Sequence, residues 1–249
     1  MASRRLGGGV VLSVRNDPTG FWSKALRFGF DQPVTADLMD KIRAFYVEQG
    51  TPSATLQFAP EVIPAHWADI CAATGVVGGG HWVKLVCDLD DIVDRLSTSV
   101  ELAPGLRVAP VQTADAAAWS GVMMDIFGMP RVNLAEMAAA SVDLPGWQAF
   151  GVWEGDSIVA TGTVRIAGET AQMFGGGTVS RLRRRGLQSA LLLERAMVAK
   201  SLGCRWLIAE TGAETDGSHN SSLHNMRRLG FTVLYERRNW LWRAPAVTS

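Results

Sequence analysis

The chain has 249 residues, 47% of them hydrophobic, and its 24 Lys plus Arg are matched by 24 Asp plus Glu. A balanced charge gives no electrostatic footprint for nucleic acid or an anionic membrane, and no uninterrupted apolar stretch approaches the ~20 residues of a bilayer span. Met1-Ala-Ser-Arg-Arg-Leu6 leads into glycines instead of a long apolar core. The expectation is therefore a soluble, cytoplasmic monomer or homodimer without a membrane or nucleic-acid partner.

In chain order, residues 10–14 read as a short buried strand and Asn16-Asp-Pro-Thr-Gly20 as a turn. A helix is predicted over 36–49, with Leu38, Ile42, Phe45 and Tyr46 on one face and Gly50 as its stop. A strand at 54–59, a Pro-bounded helix around 66–73 and a strand at 81–87 continue an alternating pattern. Glu101-Leu-Ala-Pro-Gly105 interrupts it and marks the expected domain boundary.

After the boundary a strand at 106–111 is followed by helices at 115–127 and 134–140. Segments 148–154 and 157–166 flank Gly155-Asp156, a hairpin signal, and 171–179 supplies a third strand. A helix over 187–202 stops at Gly203, a buried strand follows at 204–209, and Asp216-Gly-Ser-His-Asn220 reads as a loop, with Asp216 a turn former. A short helix ending at Leu229-Gly230 and strands at 231–235 and 239–242 complete the chain.

Cys71, Cys87 and Cys204 are odd in number and far apart, which reads as reduced, buried thiols. The histidines are equally scattered. His219 and His224 lack a nearby Cys, so no metal is expected.

One stretch carries chemistry. Arg183-Arg184-Arg185-Gly186-Leu187-Gln188-Ser189-Ala190 joins a strand, ending in Phe174-Gly-Gly-Gly-Thr178-Val179, to the helix whose apolar residues include Leu187, Ala190, Leu191, Met197 and Val198. A helix start offers unpaired N–H groups and the positive end of the dipole, arginines add charge and bidentate reach, and a glycine lets backbone approach an anion closely. There is no Gly-x-x-x-x-Gly-Lys-Ser/Thr, and Gly175-Gly176-Gly177 does not continue into Gly-x-Gly-x-x-Gly, so nucleotide triphosphatase and Rossmann readings lose their support. A solvated loop is the alternative for the arginines, disfavoured by their placement between a strand and a helix.

With these pieces in place, the C-terminal half, about residues 106 to 243, resembles the GCN5-related N-acetyltransferase (GNAT) family. Arg183-x-x-Gly186-x-Gln188 opens a helix, a Gly203-containing return leads to a strand, and a later helix ends in Arg228-Leu229-Gly230-Phe231. The sequence departs from the family at Gln188, where Gly or Ala is usual. The N-terminal half looks like a degenerate copy, faintly echoed in Phe45-Tyr-Val-Glu-Gln-Gly50. The resemblance implies an α/β fold with an α+β mixed sheet, a degenerate domain over 1–103 and an acetyl-CoA-binding catalytic domain over 106–249.

It also implies roles. The backbone amide of Val179, with Thr178 and Ser180 beside it, would polarise the thioester carbonyl. The amides of Arg184, Arg185, Gly186, Leu187, Gln188 and Ser189 would hold the pyrophosphate of acetyl-CoA, with Arg183 and Arg184 neutralising it and Arg185 reaching a ribose phosphate. The tyrosine that often protonates the leaving thiolate is replaced by Met226, so Ser221, Ser222 or His224 would substitute for it, directly or through water, and Asn225 would orient CoA or cap the local structure. Glu210 is the first candidate base and His219 the second. The tryptophans read as core packing, with Trp119 or Trp240 facing the cleft as the alternative. The function expected is acetyl transfer from acetyl-CoA to a primary amine by direct attack in a ternary complex, without a metal. The alternative is a non-catalytic acyl-CoA sensor or partner-binding protein.

Overall fold

The computed structural model describes residues 1–98, 100–215, 217 and 219–245, so the turn-forming role expected for Asp216 lies outside the described residues. The chain runs through β1 (Ala2–Leu6), β2 (Gly9–Ser13), β3 (Lys24–Leu26), α1 (Ala36–Glu48), β4 (Ser53–Gln57), α2 (Trp67–Thr74), β5 (Val77–Asp88) and α3 (Leu89–Ser97). It continues through β6 (Leu106–Pro110), α4 (Ala116–Phe127), α5 (Leu134–Ala139), β7 (Trp147–Glu154), β8 (Ser157–Ala167) and β9 (Thr170–Thr178). Helix α6 (Leu187–Ser201), β10 (Trp206–Gly212), α7 (Ser221–Arg228) and β11 (Thr232–Arg243) complete it. Among the described residues, no helix is long and apolar enough to cross a membrane.

These elements form two compact units, one of residues 1–84, 211–220 and 235–249, the other of residues 85–210 and 221–234. The expected break between 103 and 106 is therefore not where the units divide. Helix α3, N-capped by the Asp88 side chain, buries Leu89, Ile92 and Leu96 and packs against α6, which draws residues from 85 onward into the second unit. Conversely, Asn239–Arg243 of β11 pair antiparallel with Gln57–Ser53 of β4, which places the end of the chain in the first unit. Two expected strands at 231–235 and 239–242 are one continuous β11.

In the first unit β1, β2 and β3 are antiparallel neighbours, β3 runs parallel to β4, and β4 pairs with β11. Helix α1 starts where the Thr35 side chain accepts from the Leu38 N–H, and its face of Leu38, Met39, Ile42, Phe45 and Tyr46 closes the core over Val11, Ala25 and Leu56. Tyr46 stacks on Trp242 at 5.4 Å, and burial pushes its hydroxyl pKa upward.

In the second unit β6, β7, β8 and β9 form an antiparallel sheet, and β10 adds to β9 in parallel. The Gly155-Asp156 hairpin forms as its sequence demands, with Glu154 paired to Ser157. The β8–β9 ladder has a bulge. Thr163 pairs with Phe174 and Thr161 with Gly177, so Gly175 and Gly176 stand opposite Gly162 alone. Helices grip this segment closely. A Cβ at Gly175 would stand 2.5 Å from Met123 Sδ, and one at Gly177 would stand 2.4 Å from Ile126 Cγ2, both on α4. Trp119 is fully buried and donates its indole N–H to the Phe150 carbonyl at 3.0 Å, so it is core and faces no cleft.

Candidate functional site

Two strands part at the site. The parallel ladder between β9 and β10 runs from Thr170↔Trp206 to Gln172↔Ile208, while β9 continues to Thr178 along β8. In that continuation the Val179 N–H donates to the Val159 carbonyl at 3.0 Å. Antiparallel strands alternate the direction of their backbone groups, so Thr178, one residue earlier, turns its N–H away from β8 and toward the side left by β10. Its carbonyl accepts from Arg183 Nε at 3.4 Å. Contrary to the sequence expectation, Val179 does not present its amide to that side, because β8 already holds it.

Beyond β9 a single turn of tight helix at Ser180–Leu182 buries Leu182 and leads into the arginines. Arg184 has φ 62° and Gly186 φ 80°, two left-handed residues that swing the chain into α6. Gly186 takes this shape without steric conflict, whereas Arg184 holds it at a cost of about 1 kcal/mol or more. The first intrahelical bond runs from the Ala190 N–H to the Gly186 carbonyl at 3.0 Å, so the amides of Leu187, Gln188 and Ser189 have no helical acceptor. A Cβ on Gly186 would meet only the Glu101 carbonyl, at 3.9 Å, which leaves the mouth of the turn open.

Charge is concentrated there. Arg183, Arg184 and Arg185 are exposed, and Arg184 and Arg185 have no hydrogen-bond partner among the described residues. Arg181 is engaged at 2.5 Å by Glu154, whose carboxyl is held below its usual range by that contact and, more weakly, by Arg185. Leu187 is buried and anchors the helix start, and Gln188 and Ser189 are half-buried. Gln188 Nε2 donates to Thr178 Oγ1 at 2.8 Å, so the residue that departs from the family pattern ties α6 to β9. An open, cationic, amide-lined turn at the end of a parted strand can receive an anion such as a phosphate.

The remaining expected site residues are more dispersed. Glu210 is half-buried and is the last residue of β10 within the second unit. Ser222 and Asn225 are exposed on α7, and Asn225 Oδ1 accepts from Arg228 Nη2 at 3.0 Å. Met226 is half-buried, its carbonyl accepting from the N–H groups of Leu229 and Phe231. His219 belongs to the first unit, exposed, with Nδ1 3.4 Å from Glu214. Trp240 is partly buried in the first unit, edge-on to Trp67 and under Arg238. The three cysteines are free thiols, and burial raises all three, Cys87 to about 11.

One residue stands outside the sequence expectations. Arg195 lies on α6 only 3% exposed, and its guanidinium rests on the bulge of β8 and β9.

No family model matches the sequence, and no curated protein matches it. Solved structures do. A GCN5-related N-acetyltransferase from Kribbella flavida superposes with a TM-score of 0.64 at 18% identity, covering 98% of this chain and 90% of its own. A tandem GNAT protein from the clavulanic acid biosynthesis pathway does so with a TM-score of 0.65 at 15% identity, covering 98% and 85%. The chain has the GNAT fold.

A conserved protein of unknown function from Staphylococcus epidermidis shares it too, at a TM-score of 0.64, 13% identity, and 97% and 93% coverage. The mixed α/β GNAT architecture agrees with the sequence expectation. Likeness to a tandem GNAT protein over nearly the whole chain extends it to the N-terminal half.

Proposed function

We propose that this chain is an acetyl-CoA-dependent N-acetyltransferase acting on a primary amine in a ternary complex. The observation that carries the reading is the turn from Arg183 to Gly186, where left-handed Arg184 and Gly186 lead into first-turn amides of α6 that have no helical acceptor, with open space beside Gly186. Those amides and the exposed arginines would take the pyrophosphate, with Arg185 toward a ribose phosphate. GNAT relatives described as acetyltransferases support the class of reaction.

In this reading the Thr178 N–H takes the role that the sequence assigned to Val179. It donates to the thioester carbonyl oxygen as charge accumulates there, a contribution of roughly 3 kcal/mol for a fixed donor in other enzymes. Glu210 accepts the amine proton. The C–N bond forms, the C–S bond breaks, and the departing thiolate is protonated through the Ser222 hydroxyl, which regains its proton from water.

Calorimetry tests the first half of this scheme. Acetyl-CoA is expected to bind the wild type, and Arg184→Ala with Gly186→Asp to abolish binding, because a carboxylate would then occupy the anion cradle. Unchanged affinity in the double variant would exclude the site. Met226, at the family's tyrosine position, favours a second reading, a non-catalytic acyl-CoA sensor. Thiol release with a panel of amines separates the two, since tight CoA binding without turnover on any amine selects the sensor.

A further inference from the structure

A buried arginine without a carboxylate is an expensive choice. Desolvating a guanidinium costs several kcal/mol unless its donors are used, and an apolar side chain of similar length would fill the same space more cheaply. Arg195 is such a residue. Its Nε donates to the Leu191 carbonyl at 2.9 Å and Nη1 reaches the Thr163 carbonyl at 3.4 Å. Burial alone lowers its pKa, to about 10, and no carboxylate among the described residues offsets it. It therefore stays charged near neutral pH.

The place it occupies is specific. A Cβ built on Gly162 would stand 2.8 Å from its Cζ and 3.0 Å from Nε and Nη1, and one on Gly176 would stand 3.7 Å from both Nη atoms. Those two glycines face one another across the only register shift in the β8–β9 ladder of the described residues, between Thr161 and Thr163. The guanidinium thus lies flat on the bulge and donates to the Thr163 carbonyl at its edge. Two residues beyond the bulge is Thr178, whose amide direction depends on the register downstream of it. A slip of one residue would turn that amide toward β8 and Val179 toward the open side.

We propose that Arg195 is a positioning residue that locks the Gly175–Gly176 bulge and so decides which backbone amide of β9 faces the acyl donor. The proposal rests on the reading that β9 carries the acyl site. Its chemical logic is that a planar cation with donors spread over a fork can hold a carbonyl of its own helix, Leu191, and one of the broken ladder, Thr163, at once, which methionine or leucine cannot do. Gln188, seven residues earlier on α6, holds the Thr178 hydroxyl at the other end of the same segment.

The test compares wild type with Arg195→Met, Arg195→Lys and Gly162→Ala, the last of which displaces the guanidinium without removing its charge. Amide hydrogen exchange in a peptide spanning 173–179 is expected to accelerate about tenfold in Arg195→Met while peptides from β6 and β7 keep their protection. Arg195→Lys, retaining the charge but not the planar fork, falls between. In thiol-release assays kcat is expected to fall by about tenfold or more while the KM for acetyl-CoA changes less than about threefold, since the pyrophosphate turn is untouched. Unchanged exchange at 173–179 in a folded Arg195→Met overturns the proposal, as does acceleration spread evenly over the sheet. If Arg195→Met does not fold, Gly162→Ala and Arg195→Lys give the same readout. Absence of acetyl-CoA binding in the wild type would instead remove the functional reading, and the exchange result would still decide the bulge.

Discussion

Gln188 Nε2 meets Thr178 Oγ1 at 2.8 Å, a hydrogen bond between the first turn of α6 and the last residue of β9. Glycine or alanine at position 188 would make no such bond, so the chain has exchanged close packing at the helix start for a side-chain tie to β9. Gln188→Ala is expected to lower stability by about 0.5–1.5 kcal/mol, the net contribution of one part-buried hydrogen bond. Acetyl-CoA affinity should change by less than about threefold, because the amide stays in place. Urea melts and calorimetry check the two halves separately, and a large loss of affinity at constant stability would assign the side chain itself to the ligand.

Arg184 offers the reverse trade. Held at φ 62°, it is strained, and Arg184→Gly is expected to relieve up to about 1 kcal/mol, partly offset by the greater freedom of glycine in the unfolded chain. Binding of acetyl-CoA is expected to weaken, since one exposed guanidinium is gone. A variant with equal or higher Tm and poorer affinity fits strain kept for function. A lower Tm contradicts the strain.

Stability should also report the Cys87 thiol. Burial is the main reason its pKa is pushed up to about 11, with Asp91 and Asp88 adding to the rise and Arg95 opposing it. The folded form resists ionisation, so its contribution is complete below pH 9 and is lost as pH rises from 9 through 11, on the order of 2 kcal/mol in all. Unfolding free energies measured at pH 8 and pH 10.5 should diverge for wild type and converge for Cys87→Ala, which cannot ionise.

A fragment of residues 106–249 should not fold as the second unit. It lacks α3, whose buried Leu89, Ile92 and Leu96 each contribute about 1.5–3 kcal/mol against α6, and it carries β11 residues whose partner β4 is missing. Circular dichroism of the fragment beside the full chain checks this, and a cooperative melt in the fragment would contradict it.

Much of the second unit was legible because its signals are local. Gly155-Asp156 between alternating runs announces the hairpin, and the stepped apolar residues from Leu187 announce α6 within a residue of its observed ends. Helix α3 has a helical signal in the spacing of Leu89, Ile92, Val93 and Leu96, but it is short and lies directly between the strand that ends after Cys87 and the break at Pro104, which mask it. Interleaving of the units was not legible, since the pairing of Arg243 with Ser53 joins residues far apart in the chain. At the site, the arginine turn was readable from composition, whereas the difference between Thr178 and Val179 is one of strand register, to which sequence spacing is blind. Arg195 shares the stripe of Gln188 and Leu191, so a cation on an apolar face was the available signal.

The three glycines of β9 have a wider consequence. Gly175 and Gly177 leave room for Met123 and Ile126, and Gly176 sits under Gln188 and Arg195, its hypothetical Cβ 3.4 Å from Gln188 Oε1. This part of the strand is a ribbon without side chains, shaped by what two helices press into it. Variation that retunes the site is therefore expected to accumulate on α4 and α6, at residues that never touch a substrate, while the strand itself stays silent.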